Sequence, residues 1–145
     1  MQQTIFALSS GALPSGVAII RLSGPRAFEI AERLSATIIP VRRMVRALLK
    51  DPSTDIVLDD VLVTGFKAPS SFTGEDVVEL HCHGGKATIG AILRVLSDTK
   101  DCRMAEAGEF SRRAFENGKM DLTELEGLSD LIAAETEAQR KQALR

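Results

Sequence analysis

Hydrophobic positions in this chain fall into short runs separated by glycine, proline and serine, the pattern of alternating strands and helices. Thr4 to Ser9 and Val17 to Ser23 are apolar and partly β-branched, with a Ser/Gly/Pro turn from Ser10 to Gly16 between them. Two strands joined by a loop are predicted. Ser23-Gly24-Pro25 then interrupts the pattern, and Pro25 suits the first position of a helix, where its missing N–H is no loss. Phe28, Ile30, Ala31 and Leu34 stripe that helix to about Ser35. Ile38 to Leu49 mixes apolar residues with Arg42, Arg43 and Arg46, and Lys50 follows. The charge then reverses at Asp51, Asp55, Asp59 and Asp60. This stretch reads as a solvated loop before a strand. Ile56 to Phe66 reads as one or two strands, and Pro69-Ser70-Ser71 as a loop.

Asp76 to His83 is the most informative strand. Alternation sends Val78, Leu80 and Cys82 to one face and Val77, Glu79, His81 and His83 to the other. One face belongs in a core; the other carries a carboxylate and two imidazoles in a row. Gly84-Gly85 ends the strand and opens a helix from about Lys86 to Ser97, with Ile89, Ile92, Leu93 and Leu96 inward. Another helix covers the Phe110 to Asn117 region, with Gly118 as a left-handed stop. From Asp121 the pattern is helical to the last residue. Asp121 and Glu124 have capping-box spacing, and Leu122, Leu125, Leu128 and Ile132 form the stripe. Nothing stops this helix before Arg145, so the chain is expected to be a fragment of a longer protein.

Composition narrows the function classes. A length of 145 residues suits about one domain, and such a chain buries roughly 70% of its unfolded surface. Lys plus Arg is 18 against 20 for Asp plus Glu, a net charge of −2, which argues against a free-standing nucleic-acid binder. With no Trp, no Tyr and six Phe, a base-stacking platform is poorly supplied. No apolar run approaches the ~20 residues of a membrane span. Met1-Gln2-Gln3-Thr4 also lacks the basic start of a signal peptide. Cys82 and Cys102 read as free core thiols in a reducing compartment, and a cytoplasmic protein with no membrane partner is expected.

Two Gly-Lys pairs invite a nucleotide-binding reading. A phosphate loop needs Gly five residues before its second Gly and Ser or Thr after Lys. Around Gly85-Lys86 those positions are Leu80 and Ala87; around Gly118-Lys119 they are Arg113 and Met120. Neither pair is a phosphate loop. Glu79-x-His81-x-His83 is a possible metal triad, but same-face strand residues lie ~7 Å apart, awkward for three ligands to one ion. The competing reading is a polar pocket lining, with His83 holding the turn at Gly84-Gly85. Arg21 follows the buried-strand run Val17-Ala18-Ile19-Ile20. It is either an ion-pair partner, with Glu79 or another acid, or a pocket wall facing an anionic or acceptor-rich ligand.

Three stretches carry a family resemblance. They are Gly16-Val17-Ala18-Ile19-Ile20-Arg21-Leu22-Ser23-Gly24, then Ser71 through Gly85 (beginning Ser71-Phe72-Thr73-Gly74-Glu75-Asp76), and Gly108-Glu109-Phe110-Ser111-Arg112-Arg113 through Leu122. Together they resemble the N-terminal part of the MnmE/TrmE family of tRNA-modifying GTPases. The departures are confined to loops: the Ser10 to Gly16 turn, and Ala107 where the family usually has Pro. The resemblance implies an α+β domain over residues 1–119 with a mixed β-sheet and packed helices, similar to the tetrahydrofolate-binding domain of aminomethyltransferases. The first helix of a truncated helical domain would follow over residues 120–145. It implies a homodimer that binds a 5-formyl-tetrahydrofolate-type folate through Arg21, Glu79 and Lys119, with no catalytic residue in this chain and no metal site. Without the resemblance, Lys119 reads as a solvated lysine beside a helix stop. GTP, Mg²⁺ and K⁺ would bind only in a GTPase domain that this chain lacks. MnmG, a flavoprotein, would be the partner and tRNA the substrate of the complex. The rival readings are a purely structural dimerisation module and a free-standing folate-dependent transferase; the unterminated last helix argues against the transferase.

Overall fold

A computed structural model describes residues 2–128 of the chain. Its elements are β1 (Thr4–Leu8), β2 (Ser15–Ser23), α1 (Ala27–Ser35), β3 (Val45–Lys50), β4 (Val57–Phe66), β5 (Val77–Gly84), α2 (Lys86–Ser97), β6 (Cys102–Met104) and α3 (Glu109–Glu116). Residues 122–128 start a fourth helix. The six strands form one mixed sheet in the order β3-β4-β5-β2-β1-β6. Every neighbouring pair is antiparallel except β1 and β6, which are parallel. The expected α+β class is borne out.

Alternation decides which face is buried. Ala18, Ile20 and Leu22 of β2, Val78, Leu80 and Cys82 of β5, Val61 and Val63 of β4, and Ala47 and Leu49 of β3 join one core cluster. α1 and α2 cover that face. α1 contributes Phe28, Ile30, Ala31 and Leu34, and α2 contributes Ile89, Ile92 and Leu96, with Leu93 only partly buried. Both stripes recur at the helical period, which is why the two helices were legible as helices and as core.

Three expectations change. Val45–Lys50 is a strand rather than a solvated loop: Ala47 and Leu49 point inward while Arg46 and Leu48 point out. The exposed Leu48 masks the alternation in the sequence. Arg46 finds Asp60 on β4, so the charge reversal between the two segments is a cross-strand pairing. β6 was not foreseen at all; only Cys102 of its three residues is buried, and its partner β1 is distant in sequence. α1 begins at Ala27, two residues after Pro25, and the Arg26 N–H donates to Thr4 Oγ1 at 2.9 Å. Ile56 to Phe66 resolves into one strand starting at Val57. The capping box is present: the Glu124 N–H donates to Asp121 Oδ1 at 2.7 Å, and the Asp121 N–H to Glu124 Oε1 at 3.5 Å. The helix expected to continue to Arg145 lies beyond residue 128, outside the described residues. Among the described residues, no helix is long and apolar enough to cross a membrane.

Gly65 shows how tightly α1 is seated. A Cβ there would lie 2.5 Å from the Phe28 ring and 3.1 Å from Ile39 Cγ2. The ring is itself part of the core cluster, and Lys67 Nζ lies 3.9 Å from its centroid. The Gly65 backbone is fixed too, donating to Pro40 O and accepting from the Arg42 N–H. Gly65→Ala is therefore expected to destabilise the domain by about 1–3 kcal/mol through overpacking. Urea unfolding of parent and variant measures it, and equal midpoints would contradict this packing.

Candidate functional site

Among the described residues, the opposite face of the sheet is covered at one end. There, α3 and the loop from Lys67 to Asp76 pack near Ser23, leaving outward positions of β2, β5, β4 and β3 open. Arg21 on β2 and Glu79 on β5 are cross-strand partners on this face. Arg21 Nη2 donates to Glu79 Oε2 at 2.9 Å and Nε to the same oxygen at 3.3 Å. His81, two residues along, donates from Nε2 to the other oxygen, Oε1, at 3.1 Å. Burial tends to raise the Glu79 pKa, but the hydrogen bonds from Arg21 and His81 outweigh it, and the carboxyl is held below its ordinary range. Of the two readings of Arg21, the geometry shows the ion pair: it is the partner of Glu79, with side chains 24% and 18% exposed.

A loop stands over one side of this pair. The Arg21 Cζ is 5.3 Å from the centroid of the Phe72 ring. Thr73 is fully buried, and its Oγ1 shares a 2.7 Å hydrogen bond with Ser23 Oγ. Ser23 Oγ also donates to Glu75 Oε1 at 2.8 Å, and Asn117 Nδ2 donates to Thr73 O at 2.9 Å. Arg113, buried on α3, donates to Glu75 at 3.0 Å and to Glu109 at 3.3 Å. Arg103 of β6 clamps Glu109 with bonds of 2.7 and 2.5 Å. Arg103 first of all, then the Glu106 N–H and the Arg113 charge, hold the Glu109 carboxyl at a pKa of about 2 despite its burial.

Lys119 reaches the same loop from its far end. Gly118, at φ 73°, closes α3, and the Lys119 N–H donates to Ala114 O at 2.7 Å. The Lys119 side chain then passes Gly74, with Cγ 3.5 Å from where a Cβ on that glycine would stand. The structure thus joins Arg21 and Glu79 directly and sets Lys119 at the other end of the Phe72–Gly74 segment. Among the described residues, no hydrogen bond links the Lys119 side chain to either of them.

The histidines do not converge on an ion. His81 turns to Glu79, whereas His83 binds Asp59 of β4 through both Nδ1 and its backbone N–H, each at 2.8 Å. His83 therefore ties two strands together rather than holding the Gly84-Gly85 turn. No group of three His, Cys, Asp or Glu among the described residues is placed to hold a metal. Cys82 and Cys102 are free and buried, and burial pushes their thiols up to about 12 and about 11, as inert core thiols should be. Sequence reasoning passed over Phe72, Thr73, Glu75 and Arg113 as individuals. For the loop, a Phe followed by small and acidic residues is the one local signal; for the long-range pairing of Glu75 with Arg113 there is none.

With this geometry in view, comparison with known proteins is decisive. A family model described as "GTP-binding protein TrmE N-terminus" matches residues 4–119. The chain belongs to the TrmE N-terminal family. It is 58% identical over 143 residues to the tRNA modification GTPase MnmE of Bradyrhizobium sp. (strain ORS 278), covering 99% of this chain and 32% of that protein. The MnmE of Rhodopseudomonas palustris (strain BisB18) is 56% identical over 144 residues, at 99% and 32% coverage. That of Parvibaculum lavamentivorans is 55% identical over 144 residues, at 99% and 33%. The chain spans about a third of the length of these relatives. The region matched to the TrmE family contains all six strands and all three residues read as site residues, Arg21, Glu79 and Lys119.

Glu109 makes the anchor of the loop sensitive to acid. Its folded pKa of about 2 lies below the ordinary 4.5, so its stabilisation is fully present above pH 4.5 and is lost as pH falls toward 2. Glu109→Gln should remove this part of the acid dependence. The difference in urea-unfolding stability between parent and variant should shrink between about pH 4.5 and pH 2. A difference that stays constant across that window would show that the carboxylate is not stabilised in the fold.

Proposed function

We propose that this domain binds a reduced folate of the 5-formyl-tetrahydrofolate type and forms a homodimer, as part of a tRNA-modification GTPase. The observation that carries the folate reading is the ionised Glu79, held by Arg21 on an open sheet face with Lys119 across the adjoining loop. A pterin presents a 2-amino group and an N3–H side by side, and one carboxylate accepts both. A carboxylate has about four lone-pair sites. Here two N–H groups of Arg21 fill Oε2 and His81 takes one site on Oε1, so Oε1 can accept one pterin donor directly and the second takes the place of an Arg21 N–H. The donor chemistry fits. Arg21 and Lys119 supply cationic donors for the formyl oxygen, the pterin carbonyl or the glutamate tail. When bound, the folate would supply a one-carbon unit for the group built at C5 of the wobble uridine in tRNA. MnmG is the partner this reading entails, and GTP hydrolysis would belong to another domain of the same protein.

One observation favours the rival reading, a dimerisation module without folate: the Arg21–Glu79 pair is already satisfied internally. Titration separates the two. Glu79→Gln puts an NH₂ where an acceptor is needed and removes the charge, so affinity for 5-formyl-tetrahydrofolate should fall at least about tenfold, the factor that roughly 1.4 kcal/mol represents. Arg21→Ala and Lys119→Ala should weaken binding as well, the second less so at high salt. Unchanged affinity in a well-folded Glu79→Gln would leave the structural reading standing.

The dimer is supported by the apolar residues that the open face leaves in water. Val17 is 59% exposed, Leu48 47% and Leu62 45%, and all three lie on the strand face opposite the core. A cleft of about 430 Å³ beside them includes Val17, Met44, Leu62 and His81. Such a face is what a second copy would cover. Light scattering should report about twice 15.7 kDa for this chain at moderate concentration. A strict monomer at high concentration would remove the dimer proposal for the isolated domain.

A further inference from the structure

Phe72 is the side chain at this site that nothing so far explains. Of the six phenylalanines, Phe6 and Phe28 are core residues, while the Phe72 ring is 45% exposed beside the Arg21–Glu79 pair. Its exposure does not come from a loose loop. On its C-terminal side, Thr73 is fully buried, bonded to Ser23, and receives Asn117 Nδ2 at its carbonyl. On its N-terminal side, the Ser71 hydroxyl donates to Glu75 O, and Glu75 is fixed by Ser23 and the buried Arg113. The segment is thus tied down on both sides of an aromatic ring that it holds in water. Arg21 lies near the ring at 5.3 Å, which accounts for part of its surface and leaves the rest uncovered.

We infer that Phe72 is a ligand-contacting residue of this site, an apolar wall that stacks against the flat 2-amino-4-oxopyrimidine half of a pterin. The inference rests on the folate reading and adds to it the residue that covers the face of the ring. Glu79 can satisfy only the donor edge of a heterocycle. Its two faces need apolar or aromatic cover to leave water, and an aromatic wall also orients the ring through offset stacking. Phe72 is the exposed aromatic placed for this, because the cation beside its ring is the one bonded to Glu79. The arrangement favours planar heterocycles with adjacent donors over flexible anions, which the same Arg21 and Lys119 would attract by charge alone.

The test uses the full-length protein and 5-formyl-tetrahydrofolate, with calorimetric titration, proton NMR of the bound ligand, light scattering and melting curves. Three variants divide the possibilities. Phe72→Tyr should bind like the parent. Phe72→Ala should bind about tenfold more weakly, the order expected for losing an aromatic contact and its buried area. Phe72→Leu should fall between, because it keeps apolar bulk without the π-face. Ring-current shifts of the pterin C7 and formyl protons should appear in the parent and in Phe72→Tyr and be absent from the other two. A parent that binds while Phe72→Ala binds equally well, with no ring-current shift in either, would overturn the inference and leave the folate reading intact. So would an affinity loss in Phe72→Ala that tracks dissociation of the dimer and disappears at high protein concentration, since the ring would then belong to the subunit contact. A parent that does not bind the folate at all sinks the folate reading, and this inference with it.

Discussion

Arg113 carries a permanent charge into the interior, and much of the arrangement around the site follows from the need to pair it. It is 2% exposed, and a guanidinium that far from water must be met by carboxylates and carbonyls or the fold does not hold. Glu109 one turn away on the same helix, Glu75 in the loop and Ser23 O at the end of β2 meet it. Those partners come from three separate parts of the chain. Satisfying one side chain therefore docks α3 on the sheet, folds the Ser71–Glu75 loop back over β2, and through Arg103 ties in the edge strand β6. Loop geometry that would otherwise be soft is set by an electrostatic requirement.

Sheet register supplies the other half of the positioning. Glu79 and Arg21 face each other because Leu80 and Ile20, and Leu22 and Val78, face each other on the buried side. A slip of one residue would drive Arg21 and Glu79 into the apolar face and expose the core residues, so the hydrophobic pattern holds the polar pair in place. Two strands at the centre of the sheet carry the pair, and a helix end and an anchored loop bring Lys119 and Phe72 toward it. The strand residues gain rigidity from the core, and the loop residues gain it from the buried charges.

What was legible in the sequence follows this division. β2, β5 and α2 read clearly because their core residues alternate or recur at a helical period, and Glu79 stood out as a carboxylate on the wrong face for burial. Gly118 and the Asp121/Glu124 pair were legible because helix ends are punctuated by local chemistry. β3 was hidden by an exposed Leu48 and flanking arginines. β6 was hidden because three residues with one inward Cys acquire strand character only from β1, almost a hundred residues earlier. His83 was assigned to its nearest turn, whereas its partner Asp59 comes from a neighbouring strand. Arg113 and Glu75 were invisible for the same reason. Long-range pairings leave no periodic trace, and the side chains that position the loop are all of that kind.

The chemistry of the pair also has a direction. Two side chains, Arg21 with two N–H groups and His81 with one, already engage Glu79. Together they outweigh the effect of its partial burial, so it stays ionised below the range of an ordinary carboxyl. A carboxylate in that state is an acceptor only. Whatever occupies this face must therefore bring donors, and must bring them without an additional negative charge close to Oε1 or Oε2. Arg21 has the opposite constraint: it is already donating to Glu79, with its Cζ 5.3 Å from the centroid of the Phe72 ring. Its remaining N–H groups and the Lys119 ammonium are the places for a ligand's carbonyl or carboxylate oxygens. Donor edge toward Glu79 and acceptor edge toward the cations is a polarity fixed by side chains whose own positions are fixed by the core and by Arg113.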